Sequence, residues 1–491
     1  MLSIAGGRRG ALKIAMLAAL ASAALGWCGA ARGANVDEGG DIQIGVRAYT
    51  AARVGTQDTD IDIIDQAPDR VTQRTLTFPV SAAGHLRQSR FFAEATLQHD
   101  LDRLVSEGFG PLRLLNELPF KLRKLRYFLA YRGQYDGVYD YGPAEYRTAY
   151  QYSNKLLVPD SPFGAAPDIG ADRRRLRDIA GHRNQLFQAY VEFDAGDLFV
   201  RFGRQILAWG ETDVFRLLDN INPLDNSFGG FLVPLDERRV PIDMLRTSYF
   251  FGEIPYTPFY EAYIEGFASI DNAVGFDPGI PTGSPWALPN SVPSATQLTL
   301  IDKSPRNLAH TRGGAQFKFI SPVPGVEQAT FSLVYYQTYV DLPAVQVQTQ
   351  NFPAPITSGP GTGFVATATQ TAPIVQIAGA TGSTAIPPEW ARWLFLSGEP
   401  IVRTELAYFH NEPRWSQSQL DPFIFALPSN GVPCPRGTIT PAGFCAGPRR
   451  TGDSWNFVVG FDTQQAIRWL NPHQSFFITT QFFYKHLRGA I

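Results

Sequence analysis

The sequence predicts an all-β protein: an antiparallel transmembrane β-barrel with short periplasmic turns and long extracellular loops. Three observations predict it. An export signal opens the chain, and segments of about nine to eleven residues alternate apolar with polar side chains. Aromatic residues make up 13% of a 491-residue chain that has no later apolar run long enough for a membrane helix. A soluble secreted β-sandwich or β-helix is the alternative, but it would lack the contrast between short and long connections.

The N-terminus predicts export. Basic residues precede a short apolar run at 14–25, and small residues follow it as far as Ala34. This order is typical of a secretory signal peptide, and about twelve apolar residues are too few to cross a bilayer as a helix. We expect a signal peptide at 1–34, exported by the general route rather than the twin-arginine route, and a barrel domain at 35–491.

The mature chain is mildly acidic. Removing the four basic residues of the signal changes the formal net charge from −2 to −6, so nucleic acid is not an expected partner. Two cysteines remain, Cys434 and Cys445, eleven positions apart. In an exported chain this spacing predicts a disulfide that staples one loop. A metal site is not predicted there, because no His or third Cys lies nearby.

The first predicted strand, at 41–54, shows the alternation of its two faces. Ile44 and Val46 share one face, and Gln43 and Arg47 share the other. In a barrel the apolar face contacts lipid and the polar face lines the lumen. The remaining strands are predicted at 90–100, 125–136, 244–252, 259–268, 311–320, 329–340, 389–396, 401–410, 454–463 and 475–486, together with a hairpin at 186–206.

The predicted hairpin carries the clearest local pattern. Phe187 falls on one face and Glu192 on the opposite face, and a tight turn is predicted at 195–196. Arg201 and Gln205 on the second strand then point towards the lumen. A two-residue turn between two alternating runs is a strong hairpin signal.

The connections between strands alternate in length, as they do in outer-membrane barrels. One connection, 99–124, is long although it falls on the short side. Its mixture of apolar and basic residues predicts a short interfacial helix. The short connections fall at 195–196, 253–258, 321–328, 397–400 and 464–473, and the long ones at 55–87, 136–184, 207–243, 269–310, 341–388 and 411–453.

The strand count predicts an incomplete barrel. Thirteen strands are predicted, whereas bacterial single-chain barrels have an even number. The chain also ends at Ile491 rather than on a strand with a terminal aromatic residue. We expect the sequence to be a fragment without its last one to three strands, so that the full barrel would have about 14–16.

Signatures of enzymes are scarce in the sequence. It contains no H-E-x-x-H, G-x-S-x-G, phosphate-loop or dinucleotide-binding pattern. The seven His residues are scattered, and the acids at 211–225 lack the Gly and the terminal Glu of a calcium loop. We predict no catalytic residues, no cofactor and no metal. A membrane hydrolase, with a His and a hydroxyl on one face of the wall, is the third-ranked alternative.

The connection at 207–243 differs from the Pro-, Gly- and Thr-rich loops. Its acids are balanced by arginines and lie among aromatic residues, which predicts an ordered segment. Inside the lumen its ion pairs would brace the barrel and narrow the pore, and outside it would form a rigid cap. Each charge either braces the structure or contacts a permeating molecule. The candidate constriction residues are Arg201, Arg204, Gln205, Trp209, Glu211, Asp213, Asp219, Asn222, Asp225, Glu237, Arg238 and Arg239.

The same region resembles a known family. GRQ at 203–205, WGE at 209–211, INP at 221–223 and VPIDMLR at 240–246 occur in the order and approximate spacing of a family of Gram-negative outer-membrane proteins. That family is classed as a domain of unknown function, and 390–413 is similar to its later strand pair. The resemblance implies a barrel linked to the movement of hydrophobic compounds, beside inner-membrane exporters of lipid-type molecules. It implies no substrate and no catalytic residues.

These features predict a porin-like outer-membrane channel for small hydrophobic or amphiphilic compounds, gated by the connection at 207–243. The expected partners are outer-membrane lipid, a small-molecule solute and an inner-membrane transporter system. The alternative is a non-transporting surface adhesin or scaffold that acts through the long extracellular loops.

Overall fold

The structure of the protein is a computed structural model. Most of the predicted signal peptide and Cys434 of the predicted disulfide lie outside the described residues. The structure describes residues 34–56, 82–147, 177–212, 216–275, 284–286, 296–302, 304–351, 364–393, 396, 399–414, 438–439, 445–446 and 451–488. None of the helices in these ranges is long and apolar enough to cross a membrane.

The chain forms nineteen β-strands in the described residues. They are β1 (Ala34–Asn35), β2 (Ile42–Val54), β3 (Leu86–Asp100), β4 (Leu122–Asp136), β5 (His182–Ala195), β6 (Leu198–Gln205), β7 (Ile242–Gly252), β8 (Tyr260–Ser269), β9 (Thr296–Asp302), β10 (Arg312–Val323), β11 (Val326–Tyr339), β12 (Ala344–Asn351), β13 (Phe364–Thr371), β14 (Ile374–Ala385), β15 (Ile401–Pro413), β16 (Thr438–Ile439), β17 (Cys445–Ala446), β18 (Thr451–Gln465) and β19 (Phe476–Arg488).

The wall is one sheet of fourteen strands, ordered β1 to β8, β10, β11, β14, β15, β18 and β19. Neighbouring wall strands are antiparallel, so the chain runs up and down around the barrel. The predicted antiparallel barrel is confirmed, with thirteen long strands and the two-residue β1. Within the described residues β19 pairs with β18 alone. The expectation of further closing strands stays a prediction.

One predicted strand is wrong. Residues 389–396 were expected in the wall, but Pro388–Trp393 forms a short helix and β14 at Ile374–Ala385 takes the wall position. Proline at the first helical position fixes a helical φ and lacks an N–H that would be unpaired there. The many Gly, Ala and Thr residues of β14 favoured a loop, yet its Val375 and Ile377 are fully buried on the inner face.

The hairpin between β5 and β6 differs from its prediction in two details. Ala195 pairs with Leu198, so the turn is one residue later than expected, at 196–197. Phe187 was placed opposite Glu192, but both are buried, and the Arg132 guanidinium lies 3.3 Å from the centre of the Phe187 ring. The register of β4 and β5 shifts next to Phe187. A bulge at this point turns a side chain to the other face.

The connection between β3 and β4 holds the predicted short helix. Asp102–Ser106 is an α-helix, and Gly110–Glu117 is a 3₁₀ helix. Phe109 and Phe120 beside them are well exposed. The other connections at this end are tight turns or short segments, of which the longest carries the helix Pro388–Trp393.

The long loops at the opposite end form a second sheet. It has five strands in the order β16, β17, β12, β13 and β9, contributed by three separate loops. The pairing of β13 with β9 is parallel, whereas the other pairs are antiparallel.

The outward face of the wall is apolar. Large hydrophobic side chains on it stay exposed, while the alternate positions of the same strands are buried or polar. Exposed apolar side chains in this number are typical of a surface that contacts a membrane or another protein. Its members include Ile44, Val46, Leu129, Leu186, Val191, Phe202, Leu245, Ile264, Leu333, Leu406, Phe457 and Phe482.

Candidate functional site

The segment 206–241 between β6 and β7, here called the plug, lies inside the barrel. Its described residues contact inward side chains from opposite parts of the wall, including Arg47 of β2, Arg183 of β5, Glu265 of β8 and Glu405 of β15. A cap outside the barrel could not reach all of these inner faces. The sequence is compatible with a segment inside the lumen or with a cap outside the barrel, and in the structure the segment lies inside.

The GRQ motif at 203–205 forms the end of strand β6, directly before the plug. Gly203 has φ +129°, and a Cβ on it would lie 2.4 Å from the Ala189 carbonyl oxygen, so only glycine fits. Gln205 is fully buried, and its Nε2 donates to the Met244 carbonyl oxygen at 3.1 Å. Arg204 was grouped with the lumen candidates, but adjacent strand residues point to opposite faces. Arg204 therefore shares the outward face with exposed Phe202.

Asn222 of the INP motif ties the two arms of the plug together. Its Oδ1 accepts from the Leu207 N–H at 2.8 Å. Its Nδ2 donates to the Val240 carbonyl oxygen at 2.9 Å and to that of Gln205 at 3.3 Å. Because Asn222 is fully buried, these three bonds account for its place in the motif as a structural residue.

One side of the plug is apolar and packs against the half of the wall from β7 to β18. Trp209 of the WGE motif lies edge-on to Phe267 and Tyr336, with ring centres 5.2 and 5.8 Å away. Its Nε1 donates to Glu265 Oε1 at 2.6 Å. The buried cluster contains Leu207, Trp209, Leu217, Leu218, Ile221, Ile242, Met244, Phe267, Val334, Tyr336, Val375, Ile377, Ala407, Phe409 and Val458.

Side chains of the wall form hydrogen bonds with the backbone N–H and carbonyl groups on this apolar side of the plug. The buried Glu405 carboxylate accepts from the N–H groups of Glu211 and of Leu218, the latter at 3.0 Å. The Tyr336 hydroxyl donates to the Leu218 carbonyl oxygen at 2.7 Å and accepts from the Asn220 N–H at 3.2 Å. Buried backbone polar groups need such partners, so the wall holds this half of the plug by hydrogen bonds as well as by packing.

The other side of the plug is charged and faces β2, β3 and β4. The Glu237 side chain is fully buried there. One carboxylate oxygen accepts from Arg47, and the other accepts from the Tyr49 hydroxyl and lies 2.9 Å from Arg90 Nη1. Arg132 Nη1 donates to the Glu237 carbonyl oxygen at 3.0 Å. Glu237 is therefore the point at which three wall strands hold the plug.

Two further ion pairs join the plug to itself and to the wall. Arg239 Nη2 lies 2.5 Å from Asp219 Oδ2, and Arg183 of β5 pairs with Asp225. Burial raises the pKa of Asp219 above its ordinary value, and the charges of Arg239 and Arg216 oppose that shift.

Arg238 is held within the plug. Its Nε donates to Asn226 Oδ1 at 3.0 Å. Burial lowers the pKa of Arg238, and the nearby charge of Arg216 acts in the same direction.

A polar cavity of about 420 Å³ opens between the two arms of the plug and β15. The Glu211 side chain is about a quarter exposed and lies 4.0 Å from Lys318. Arg403 pairs with Asp462 at 2.6 Å and donates to the Glu211 carbonyl oxygen. The lining residues are Gly210, Glu211, Thr212, Leu235, Asp236, Arg239 and Arg403.

The candidate residues thus divide by position. Glu211 and Arg239 line the cavity, whereas Arg201 pairs with Glu192 at 2.5 Å on the wall and contacts no plug residue in the described bonds. Asp213 lies outside the described residues. Arg204 faces outward on the wall, and the remaining candidates brace the plug.

Sequence reasoning did not single out the wall residues that receive the plug. Glu405, Arg90 and Tyr336 occupy inward positions of β15, β3 and β11. The alternation of the strands places each on the inner face. It does not show which plug atom each meets, because that depends on the curvature of the wall.

Within the described parts of the chain, no group of three or more His, Cys, Asp or Glu side chains could hold a metal ion.

Comparisons with known proteins give one family and several distant structures. A family model described as "Protein of unknown function (DUF1302)" matches residues 12–490. A search of curated proteins gives no match. Because the TM-scores to solved structures are low, those likenesses say nothing about solute or mechanism.

Three solved structures illustrate the likeness. Salmonella typhi OmpF, in complex with daunomycin, is 8% identical with a TM-score of 0.28, over 88% of this chain and 82% of that chain. OmpT, an outer-membrane protein of Vibrio cholerae, is 6% identical with a TM-score of 0.24, over 91% and 88%. Pseudomonas putida OprB is 12% identical with a TM-score of 0.23, over 90% and 88%.

Proposed function

The chain belongs to the DUF1302 family of unknown function, and we propose that it is an outer-membrane channel for small hydrophobic or amphiphilic compounds. The observation that carries the proposal is the plug at 206–241, folded inside the barrel with a polar cavity of about 420 Å³ beside it. A segment in this position narrows the passage through the barrel.

The outward surface supports the membrane location. The exposed apolar side chains of the wall alternate with buried or polar inward ones, as expected of strands that face lipid on one side and a lumen on the other. Proposed partners are therefore outer-membrane lipid and a permeating solute. An inner-membrane transporter system is proposed as a further partner, on the family resemblance alone.

The interior supports an amphiphilic solute. The wall from β7 to β18 presents apolar side chains inward, and the wall from β2 to β4 presents arginines. The plug covers both faces, so a molecule with an apolar body and a polar group could contact both where the plug moves away from the wall. A purely polar lumen would favour ions and sugars instead.

The test uses the purified full-length chain in planar bilayers and liposomes, alone and with residues 207–241 replaced by a short Gly-Ser linker. We expect a small conductance and slow flux of an amphiphilic dye with the intact chain, and larger values without the plug. Heat-modifiable gel migration checks that both barrels fold. If neither folded protein shows conductance or flux, the channel proposal is refuted.

A charge substitution at the cavity sharpens the test. Glu211→Gln removes a carboxylate that lines the cavity, so ion selectivity and flux should change while the barrel stays folded. Glu389→Gln, on the exposed helix at the opposite end, is the matched control and should leave both unchanged.

A surface role is the second candidate, and the five-stranded sheet of the long loops favours it. Strands from three loops form a platform that could bind a partner outside the cell. Under this role the intact chain should pass no dye, and removal of the hairpin β12–β13 should abolish partner binding. The channel proposal predicts that the same deletion has little effect on transport of the dye.

A further inference from the structure

Four arginines cluster on the wall beneath the charged side of the plug. They belong to three adjacent strands: Arg47 and Arg53 to β2, Arg90 to β3 and Arg132 to β4. An excess of guanidinium groups at one wall position is costly unless anions lie among them.

The wall itself supplies two carboxylates to this cluster. Glu94 pairs with Arg132 at 2.6 Å, and Asp136 accepts from the Ser89 N–H at 2.9 Å. Glu237 of the plug is the third acid. The named groups thus comprise four cations and three anions, and without the plug the wall would hold four cations against two.

The contacts of Glu237 are those that a free carboxylate would receive. One oxygen meets Arg47, and the other meets Arg90 and the Tyr49 hydroxyl. Guanidinium groups and a phenol around one carboxylate are charge-assisted donors and give strong, directional binding. The Arg90 side chain is only 2% exposed, and its Nε has no hydrogen-bond partner in the described residues. The site therefore holds more donor capacity than Glu237 uses.

Glu237 does not belong to the apolar anchor of the plug. Glu237 lies in the four-residue helix Leu235–Arg238, whereas the apolar side of the plug is fixed by its buried cluster. The neighbouring Asp236 is 85% exposed and lines the cavity. A solute in the cavity would therefore meet the same short helix that carries Glu237.

We propose that Arg47, Arg90 and Tyr49 form a binding site for the carboxylate of an amphiphilic solute, and that Glu237 is an internal occupant which the solute displaces. The solute class is a carboxylic acid with an apolar chain. Displacement would free the short helix and widen the passage, a step that rests on the proposed channel function.

The test measures binding rather than transport, so that the two proposals can fail separately. Decanoate and the neutral decanamide are titrated into the full-length chain in detergent, with calorimetry and tryptophan fluorescence as readouts. We expect decanoate to bind and decanamide not to bind. Arg47→Gln and Arg90→Gln should each weaken decanoate binding by about tenfold or more, because each removes a charge-assisted partner.

The Glu237→Gln variant tests the internal occupant. Loss of the competing carboxylate should tighten decanoate binding by about tenfold, because apparent affinity is the intrinsic affinity multiplied by the fraction of molecules with an open site, about a tenth when Glu237 occupies it. Glu389→Gln, an exposed acid on the short helix at the opposite end of the barrel, is the matched control and should bind as the unaltered chain does.

Three results would overturn the proposal: equal binding of decanoate and decanamide, unchanged binding in folded Arg47→Gln, or no tightening in Glu237→Gln. If Arg90→Gln fails to fold, Arg47→Gln decides, because Arg47 is 45% exposed. Binding without dye flux in liposomes would refute the channel and leave this site standing. Flux without decanoate binding would refute the site alone.

Discussion

At the scale of single residues, the short motifs of the plug region have structural roles. Gly203 allows a close backbone approach, Gln205 bridges β6 and β7, and Asn222 joins both arms of the plug. Trp209 fills the apolar cluster and bonds to Glu265. The sequence allows these residues to contact a solute in the pore. In the structure they are buried and hold the plug in place.

Asn222→Ala should destabilise the protein by about 2–4 kcal/mol, because three hydrogen bonds are lost and buried groups stay unpaired. The orphaned groups include the Leu207 N–H and the Val240 carbonyl oxygen. Urea unfolding of the protein folded into liposomes measures the change. Asn226→Ala loses the single described bond to Arg238 and should cost about 1 kcal/mol or less. Equal costs for the two variants would contradict the joint assigned to Asn222.

At the scale of the element, the plug has two sides that are held by different forces. The apolar side rests on packing and on wall groups that satisfy its backbone. The charged side rests on ion pairs to Arg47, Arg90 and Arg183. An added anion can compete with a carboxylate for its arginine partners, whereas apolar packing offers an anion no such partner. The charged side is therefore the one expected to move.

Glu405→Gln should loosen the plug and leave the wall intact. An amide offers one acceptor oxygen where the carboxylate serves both the Glu211 and the Leu218 N–H groups, so one donor loses its partner at a cost of about 1–3 kcal/mol. Hydrogen exchange of peptides from 206–222 should become faster, and conductance should rise. Glu412→Gln on the same strand, which contacts Ser454 and Lys485, should change neither. Unchanged exchange in Glu405→Gln would contradict this role.

At the scale of the whole molecule, the wall has three kinds of surface. Its outer face is apolar, its inner face from β7 to β18 is apolar where the plug packs, and its inner face from β2 to β4 is charged. An apolar inner face is unusual for a barrel with an open lumen. It follows from the plug, since these side chains are buried against it rather than in contact with solvent.

Phe202→Arg should impair folding into the membrane. Phe202 lies outward in the middle of β6 and is 67% exposed, and a lipid-facing arginine costs about 2–4 kcal/mol near the bilayer midplane. Thr479→Arg is the control, because Thr479 pairs with buried, inward Asp462 and faces the lumen. Folding yield in liposomes, read by heat-modifiable migration, should fall for Phe202→Arg only. Similar yields for both variants would contradict the assigned lipid face.

Most of the wall could be predicted from the sequence. Alternation with a period of two is a property of each strand alone, so it predicts that Ile44 and Val46 face outward and Arg47 inward, as they do in the structure. The lengths of the short turns and long loops follow from the spacing of the predicted strands along the chain. The exceptions were β14, whose small residues carry little alternation, and Phe187, where a bulge inverts the pattern.

The sequence by itself determined most of the wall strands, most of their two faces and an ordered, charge-balanced segment at the plug. Only the tertiary structure decided that the plug lies inside, and that Glu237 meets Arg47 and Tyr49, 190 and 188 positions away. The physical reason is the range of the forces. Strand pairing and alternation are local along the chain, whereas the partners of a buried carboxylate are set by how the whole wall curves around it.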